Sequence, residues 1–231
     1  KYTGHVMRSG RKIRMRDFAI TAPERELDQP AILMVGTSMS SGKTMTGKFA
    51  CQILSDLGYR GIGTKLTGAG RYRDILSFRY HGAAEIYDFV DAGLPSTVVS
   101  EGEFRAAIRP LLSHIASRDA DFMVVEAGAS PLEPYNGAAA IDELGANIRC
   151  RILCATDPYA VVGVQQAYGL RPDLVAGPAT NTSAALDLVE KLTGLPGINI
   201  IDPDKLPVFR DFLVHILQIG EDSATQAPRS A

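Results

Sequence analysis

Short apolar runs alternate with longer amphipathic stretches along the chain from Ala31 onward. The apolar runs predict strands, and the stretches with an apolar position every three or four residues predict helices. The predicted strands cover residues 31–35, 60–66, 97–100, 121–126, 148–156, 174–176 and 198–201. Because strands and helices alternate, we expect an α/β fold in which a mostly parallel sheet carries helices on both faces.

The predicted helices lie between these strands. The first follows residue 44 with an apolar stripe at helical spacing and ends at Gly58, which is placed to cap it. The others cover residues 83–92, 103–118, 138–144, 159–168, 184–192 and 207–217. The segment 67–82 is polar, aromatic and rich in arginine, so we predict a loop there.

The stretch 31–44, AILMVGTSMSSGKT, has the pattern of a phosphate-binding loop between a buried strand and a helix. Backbone N–H groups of such a loop and of the helix start converge on phosphate oxygens. Lys43 would reach the β- and γ-phosphates, and the Thr44 hydroxyl would ligate Mg²⁺. The residues that we expect to contact the nucleotide are Gly36, Thr37, Ser38, Met39, Ser40, Ser41, Gly42, Lys43, Thr44 and Met45.

Charged residues follow three other predicted strands, at Lys65, Glu126 and Asp157. Ligands of open parallel sheets collect at the carboxyl ends of the strands. Glu126 follows four apolar residues and can bind Mg²⁺ beside Thr44, because Mg²⁺ needs only one or two carboxylates besides phosphate and water. Lys65 would be a second cation that stabilises a transferring phosphoryl group, together with Lys43.

The arginine-rich segment 67–82 offers further candidates. Asp74 is a candidate for a second metal contact. Arg71, Arg73 and Arg79 are candidates for binding a small anionic substrate, although a solvated loop explains them equally well.

Composition excludes several classes of protein. The chain has 231 residues, of which 45% are hydrophobic and 22% charged, with a formal net charge of −2. These values match an ordinary globular protein and argue against a dedicated nucleic-acid binder. No apolar run approaches the ~20 residues that span a membrane, so we expect no membrane partner. The three cysteines lack metal-site spacing, which favours reduced thiols and a cytoplasmic protein.

The sequence divides into three predicted parts. Residues 1–30 form a basic segment and a polar linker, in which alternating residues near 13–15 predict a half-exposed strand or hairpin. This part is compatible with the tail of a domain absent from this chain. Residues 31–220 form the nucleotide-binding domain, and residues 221–231 a disordered tail. The oligomeric state is open, with a homo-oligomer among the alternatives.

Three motifs resemble those of dethiobiotin synthetases and of the amidoligases that act on cobyrinic acid. The glycines Gly36 and Gly42 are six positions apart, as in that group, where the common loop has five. Residues 65–68 are similar to its Lys-Pro-x-x-x-Gly segment, without the proline and with a closer glycine. Residues 125–129 are similar to its V-E-G-A-G-G loop, with alanine for the first glycine.

This resemblance implies a P-loop NTPase fold with ATP and Mg²⁺ as cofactors. Lys43 and Lys65 would be the catalytic cations, and Thr44 and Glu126 would hold the metal. The substrate-contacting segments and the glutaminase domain of these families have no recognisable counterpart here. No N-K-x-D motif is present, which argues against a Ras-like GTPase, but the choice between ATP and GTP remains open.

Two other tracts, at residues 82–99 and 180–199, resemble a second group of P-loop proteins, which includes D-glutamate N-acetyltransferases. Those proteins carry a Rossmann-like N-terminal domain, and their loop would hold the phosphates of coenzyme A. The sequence therefore leaves three hypotheses. The first is an ATP- and Mg²⁺-dependent ligase or synthetase that activates a carboxylate or carbamate. The second is an acyl-CoA-dependent N-acyltransferase, and the third a non-catalytic nucleotide-binding regulatory module.

Overall fold

A six-stranded parallel sheet forms the centre of the molecule, for which a computed structural model describes residues 3–219. A small antiparallel hairpin precedes it, with β1 at Met7–Arg8 and β2 at Arg11–Lys12. The sheet strands are β3 (Ala31–Gly36), β4 (Gly61–Thr67), β5 (Glu85–Asp88), β6 (Phe122–Ala127), β7 (Ile148–Cys154) and β8 (Leu174–Ala176). Their spatial order is β5-β4-β6-β3-β7-β8, and every pair is parallel. The expected mostly parallel sheet is confirmed.

Within the described residues there are seven α-helices, of which the first five connect consecutive strands of the sheet and the last two follow β8. They are α1 (Lys43–Asp56), α2 (Tyr72–Tyr80), α3 (Glu101–Ala116), α4 (Gly137–Leu144), α5 (Pro158–Tyr168), α6 (Ser183–Thr193) and α7 (Leu206–Ile216). Gly58 follows the last turn of α1 with a φ of 87°, as the sequence predicts for a capping glycine. Thr182 caps α6 by accepting a hydrogen bond from the Ala185 N–H.

Two apolar cores lie on opposite faces of the sheet. One contains side chains of α3 to α6, such as Phe104, Ile108 and Val161. The other contains side chains of α1, α2 and α7, such as Leu54, Phe78 and Phe209. Strands β3 and β6 are buried along their whole length because both faces are covered, and this explains why their sequences are apolar except for Glu126 in β6.

The prediction for residues 67–92 is wrong in its order of elements. The expected loop contains helix α2, whose buried Ile75 and Phe78 lie three residues apart on its inner face. The expected helix at 83–92 instead contains strand β5, which pairs with β4. The prediction failed because the apolar positions of α2 stand among many charged residues, so no helical pattern was evident. The alanines before β5 favoured the prediction of a helix in place of a strand.

Two short predicted strands are also absent from the structure described here. Residues 97–100 form an irregular segment before α3, in which the Thr97 hydroxyl accepts a hydrogen bond from the Gly68 N–H. Residues 198–201 add no strand to the sheet, and only a single bridge joins Val175 to Gly197. Both segments are too short and too rich in side-chain hydrogen bonds to extend the sheet.

The N-terminal segment forms a hairpin, but its strands lie at residues 7–8 and 11–12 and not at the alternating residues 13–15. Residues 15–18 form a turn of 3₁₀-helix. Residues 20–29 are irregular and contact the main body. The Ile20 N–H donates to the Asp91 carbonyl, and the Arg25 N–H donates to the Ser113 hydroxyl at 3.2 Å. The domain boundaries remain a prediction, and the expected disordered tail lies outside the described residues. No described helix is long and apolar enough to cross a membrane.

Candidate phosphate-binding site

The loop between β3 and α1 is closed tightly by glycines. Gly42 lies at the start of α1 with a φ of 101°, a conformation that favours glycine. A Cβ at Gly36 would lie 2.7 Å from the Ala129 carbonyl oxygen and would also collide with Lys43 Nζ and Ser41 Oγ. A Cβ at Gly42 would lie 3.1 Å from the Cα of Gly177. The loop backbone therefore lies in a cradle that only glycine permits at these places.

Lys43 is folded back over the loop and is almost fully buried. Its ammonium group donates to the Ser38 carbonyl at 2.7 Å, to the Ala129 carbonyl at 2.9 Å and to the Ser41 hydroxyl at 3.3 Å. Burial lowers the pKa of Lys43, and the negative charge of Glu126 opposes this shift only in part. The ammonium is thus bound to neutral oxygens, which a phosphate oxygen can replace with a stronger, charged partner.

A chain of four polar side chains links α1, β6, β4 and α2. The Thr44 hydroxyl donates to Glu126 Oε2 at 2.8 Å. The Lys65 ammonium lies 3.3 Å from Glu126 Oε1 and 2.7 Å from Asp74 Oδ2. Lys65 and Glu126 are neighbours because they are paired positions of the adjacent strands β4 and β6.

Electrostatic attraction keeps Lys65 charged. Burial alone would lower the pKa of Lys65, but Glu126 and Asp74 together outweigh burial and raise that pKa above its ordinary value. Only 6% of the Lys65 side chain and 4% of the Glu126 side chain are exposed. Such a charged pair, taken out of water, places a cation and a carboxylate beside the loop between β3 and α1.

The oxygen donors at this place suit Mg²⁺. The Thr44 hydroxyl and the Glu126 carboxylate are hard ligands that already lie in contact. No group of three or more His, Cys, Asp or Glu side chains with metal-site geometry occurs in residues 3–219. Mg²⁺ at a phosphate site takes most of its ligands from phosphate and water, so Thr44 and Glu126 fit it. Asp74, expected as a second metal contact, is hydrogen-bonded to Lys65.

Two side chains without a predicted role, Thr67 and Asn136, tie down the loop after β6. The Thr67 hydroxyl donates to the Gly128 carbonyl. Asn136 donates from Nδ2 to the Thr97 and Val99 carbonyls at 2.8 and 3.0 Å, which ties the loop after β6 to the segment before α3. No motif marks Asn136, and its positive φ of 61° is visible only in the structure.

The remaining predicted residues lie apart from this chain of contacts. Arg71 and Arg73 are exposed around the start of α2. Arg79 donates to the Ala83 and Ala84 carbonyls at the far end of the same helix, so its guanidinium closes a turn. Asp157 caps α5, because one of its carboxylate oxygens accepts from the Tyr159 and Ala160 N–H groups.

Comparison with known proteins gives a match at the level of structure only. No protein-family model matches the chain, and no curated protein matches it in sequence. The solved structure of HypB from Helicobacter pylori in complex with nickel is similar, with 14% identity, 88% of this chain and 92% of that chain covered, and a TM-score of 0.51. The hydrogenase maturation factor HypB from Archaeoglobus fulgidus has 16% identity, 82% and 90% coverage, and a TM-score of 0.55.

Both of these HypB structures belong to the P-loop NTPases. At such low identity the similarity concerns the fold, and the narrower resemblance to dethiobiotin synthetases stays a prediction. The six-stranded parallel sheet with flanking helices agrees with this similarity of fold. The chain therefore has the α/β fold of P-loop NTPases.

Proposed function

We propose that this protein binds a Mg²⁺–nucleotide, preferably ATP, and transfers its γ-phosphoryl group to a carboxylate or carbamate oxygen. The acceptor oxygen forms a bond to the γ-phosphorus, and the bond from that phosphorus to the β-phosphate oxygen breaks. ADP leaves, and the product is an acyl or carbamoyl phosphate that a second nucleophile consumes with release of phosphate. The protein would then be a ligase or synthetase.

The observation that carries this proposal is the contact chain of Thr44, Glu126 and Lys65. At the carboxyl edge of the sheet, the Thr44 hydroxyl lies 2.8 Å and the Lys65 ammonium 3.3 Å from oxygens of the same Glu126 carboxylate. Lys43 approaches the same edge from the loop. Phosphoryl transfer depends mainly on positioning and on stabilisation of charge, and this arrangement supplies both.

Each residue then has one task. The loop N–H groups and Lys43 hold the β- and γ-phosphates. Thr44 and Glu126 hold Mg²⁺, which neutralises the phosphate charge. Lys65 stabilises the negative charge that develops on the transferring group and on the acceptor. The glycine cradle around Gly36 brings the backbone close enough to the phosphates for these contacts.

A second function has one observation in its favour. Lys65 already forms ion pairs with both carboxylates of the site, and Lys43 supplies a second ammonium at the loop, so phosphates have cationic partners there without a metal. An N-acyltransferase that binds the phosphates of an acyl-CoA has this requirement. It predicts binding of acetyl-CoA that is insensitive to EDTA and is not accompanied by nucleotide turnover.

The experiment measures release of ADP or GDP by the full chain with Mg²⁺ and a panel of small carboxylic acids. Hydroxylamine is added to trap any acyl phosphate as a hydroxamate. We expect acceptor-dependent hydroxamate with the wild type and a loss on the order of 10²- to 10³-fold with Lys43→Ala, as for removal of one preorganised electrostatic group. Lys191→Ala, on the exposed surface of α6, is the matched control.

Three other outcomes contradict the proposal. Nucleotide binding without any turnover favours a non-catalytic regulatory module. Binding of acetyl-CoA without binding of ATP or GTP favours the acyltransferase. Turnover that is equal in the wild type and Lys43→Ala rejects the loop as the reacting site.

A further inference from the structure

The Lys65 ammonium occupies the space between two carboxylates that lie on different elements. Asp74 belongs to the first turn of α2, and Glu126 belongs to β6. Their oxygens lie 2.7 and 3.3 Å from Lys65 Nζ. The Asp74 side chain is 17% exposed and that of Glu126 only 4%. Two carboxylates so close together and so little hydrated need a cation between them.

Lys65 supplies that cation in this structure. Within the part of the chain that the structure describes, neither Asp74 nor Glu126 has another ion-pair partner. The more distant oxygen of Glu126 accepts a hydrogen bond from Thr44, so both oxygens of Glu126 are in use. Each Glu126 oxygen that a metal ion would bind therefore already has one positively charged or hydrogen-bonding partner.

A divalent cation and the ammonium of Lys65 compete for these same oxygens. Two cations at one carboxylate pair repel each other strongly where water is largely excluded. The lysine stem has four flexible carbons, so its ammonium can leave one carboxylate without any movement of the backbone. Glu126 is held more firmly, because its strand is buried along its whole length in the sheet.

We propose that Lys65 is the resident counter-cation of the metal site, and that its ammonium must leave Glu126 when a divalent cation binds Thr44 and Glu126. This inference rests on the proposed function, because it takes the metal site from it. It adds an exchange: before the metal arrives, Lys65 offsets one of the two negative charges of the site. The ammonium released by Glu126 then becomes free to bind a phosphate oxygen. Lys65 would thus weaken metal binding and assist phosphoryl transfer.

The opposite signs of these two effects make the inference testable. The variants are Lys65→Gln, which keeps two hydrogen-bond donors but no charge, and Lys65→Met, which removes both. Binding of Mn²⁺ is measured by electron paramagnetic resonance of the free ion, both without nucleotide and with a non-hydrolysable ATP analogue. We expect both variants to bind Mn²⁺ more tightly than the wild type, on the order of tenfold, the value of one charged hydrogen bond.

Three control proteins complete the design. Lys191→Gln removes an exposed lysine of α6 and should bind Mn²⁺ as the wild type does. The other two carry Glu126→Gln, alone or together with Lys65→Gln, and both should lose tight Mn²⁺ binding. Circular dichroism establishes that each variant is folded, and Lys65→Gln keeps the test valid if Lys65→Met does not fold.

The outcomes separate this inference from the proposed function. Unchanged or weaker Mn²⁺ binding by Lys65→Gln overturns the inference. The absence of Mn²⁺ binding by both the wild type and Lys65→Gln also overturns it. Tighter Mn²⁺ binding by Lys65→Gln in the absence of nucleotide, with no effect of the ATP analogue, supports the exchange and rejects the proposed phosphoryl transfer.

Discussion

Gly36 is the position at which any side chain would prevent the loop from closing. A methyl group there would meet the Ala129 carbonyl, the Ser41 hydroxyl and the Lys43 ammonium at once. We therefore expect Gly36→Ala to lower the free energy of unfolding by about 1–3 kcal/mol, the usual effect of overpacking, and to weaken nucleotide binding. Urea unfolding and calorimetric titration with Mg²⁺–ATP measure the two effects.

Gly102 provides the matched control for this change. It lies in the first turn of α3, and a Cβ built there meets no atom within 4 Å. Gly102→Ala should stabilise the protein by about 0.5–1 kcal/mol through helix propensity, with unchanged nucleotide binding. If the two alanine variants behave alike, the cradle around Gly36 has no role in binding.

Glu85 makes stability depend on pH at the edge of the sheet. Burial opposes its ionisation, but hydrogen bonds from Arg118, Tyr87 and Arg60 prevail and lower the pKa of Glu85 from 4.5 to about 2. A carboxyl with a lowered folded-state pKa stabilises the fold fully above its unfolded pKa, and this contribution is lost as the pH falls. We expect the free energy of unfolding to fall between pH 4.5 and 2.

A urea series over this pH range measures the effect. Glu85→Gln should be less stable at neutral pH and should show a flatter pH profile than the wild type. Glu190→Gln, at an exposed position of α6, is the control and should keep the wild-type profile. Parallel profiles of wild type and Glu85→Gln would show that another group titrates.

At single residues, sequence patterns identified those positions that follow a simple rule. Lys43 and Thr44 follow a glycine at a helix start, and Glu126 lies near the end of a buried strand after four apolar residues, so local context was enough to single them out. The partner of Asp74 was not predictable, because its contact with Lys65 depends on how α2 packs beside β4. Asp157 was placed at the right strand end, but its carboxylate caps a helix.

Among the helices, α2 is packed against the sheet mainly through one large side chain, that of Phe78. Phe78 is fully buried, and its ring fills the space left by Gly47 of α1 and Gly63 of β4. Phe78→Ala should lower the free energy of unfolding by about 3–5 kcal/mol, because it leaves a cavity under the helix that carries Asp74. Chemical denaturation followed by circular dichroism measures the loss.

Tyr80 of the same helix is the control. It is 80% exposed, so Tyr80→Ala should change the free energy of unfolding by less than about 0.5 kcal/mol. Equal losses in the two variants would mean that α2 is not held through Phe78.

Strong periodicity made most elements predictable, and weak periodicity explains the errors. Apart from Glu126, strands β3 and β6 have apolar sequences because they lie between two covered faces. Strand β5, at the edge of the sheet, has only four residues, and three of them are only partly buried. Because the pattern of β5 is short, the preceding alanines led to the prediction of a helix there. Helix α2 was missed because its charged residues obscured its few apolar positions.

The whole molecule brings the candidate site together at the carboxyl edge of its sheet. The order of strands places β3 between β6 and β7, so the loop after β3 lies beside the end of β6 and its glutamate. Strand β4 then adds Lys65 on the other side of β6. Topology thus joins four residues that are separated by up to 82 positions along the chain, and no local pattern could show their distances.

Binding of a Mg²⁺–nucleotide at Lys43 and Glu126 is tested most directly by calorimetric titration of the full chain with ATP, GTP and acetyl-CoA, each with Mg²⁺ and with EDTA. We expect the wild type to bind a nucleoside triphosphate more tightly with Mg²⁺ than with EDTA. We expect Lys43→Ala and Glu126→Ala both to abolish this difference. Triphosphate binding that is equally tight in all three proteins, or insensitive to Mg²⁺ in the wild type, would contradict these expectations.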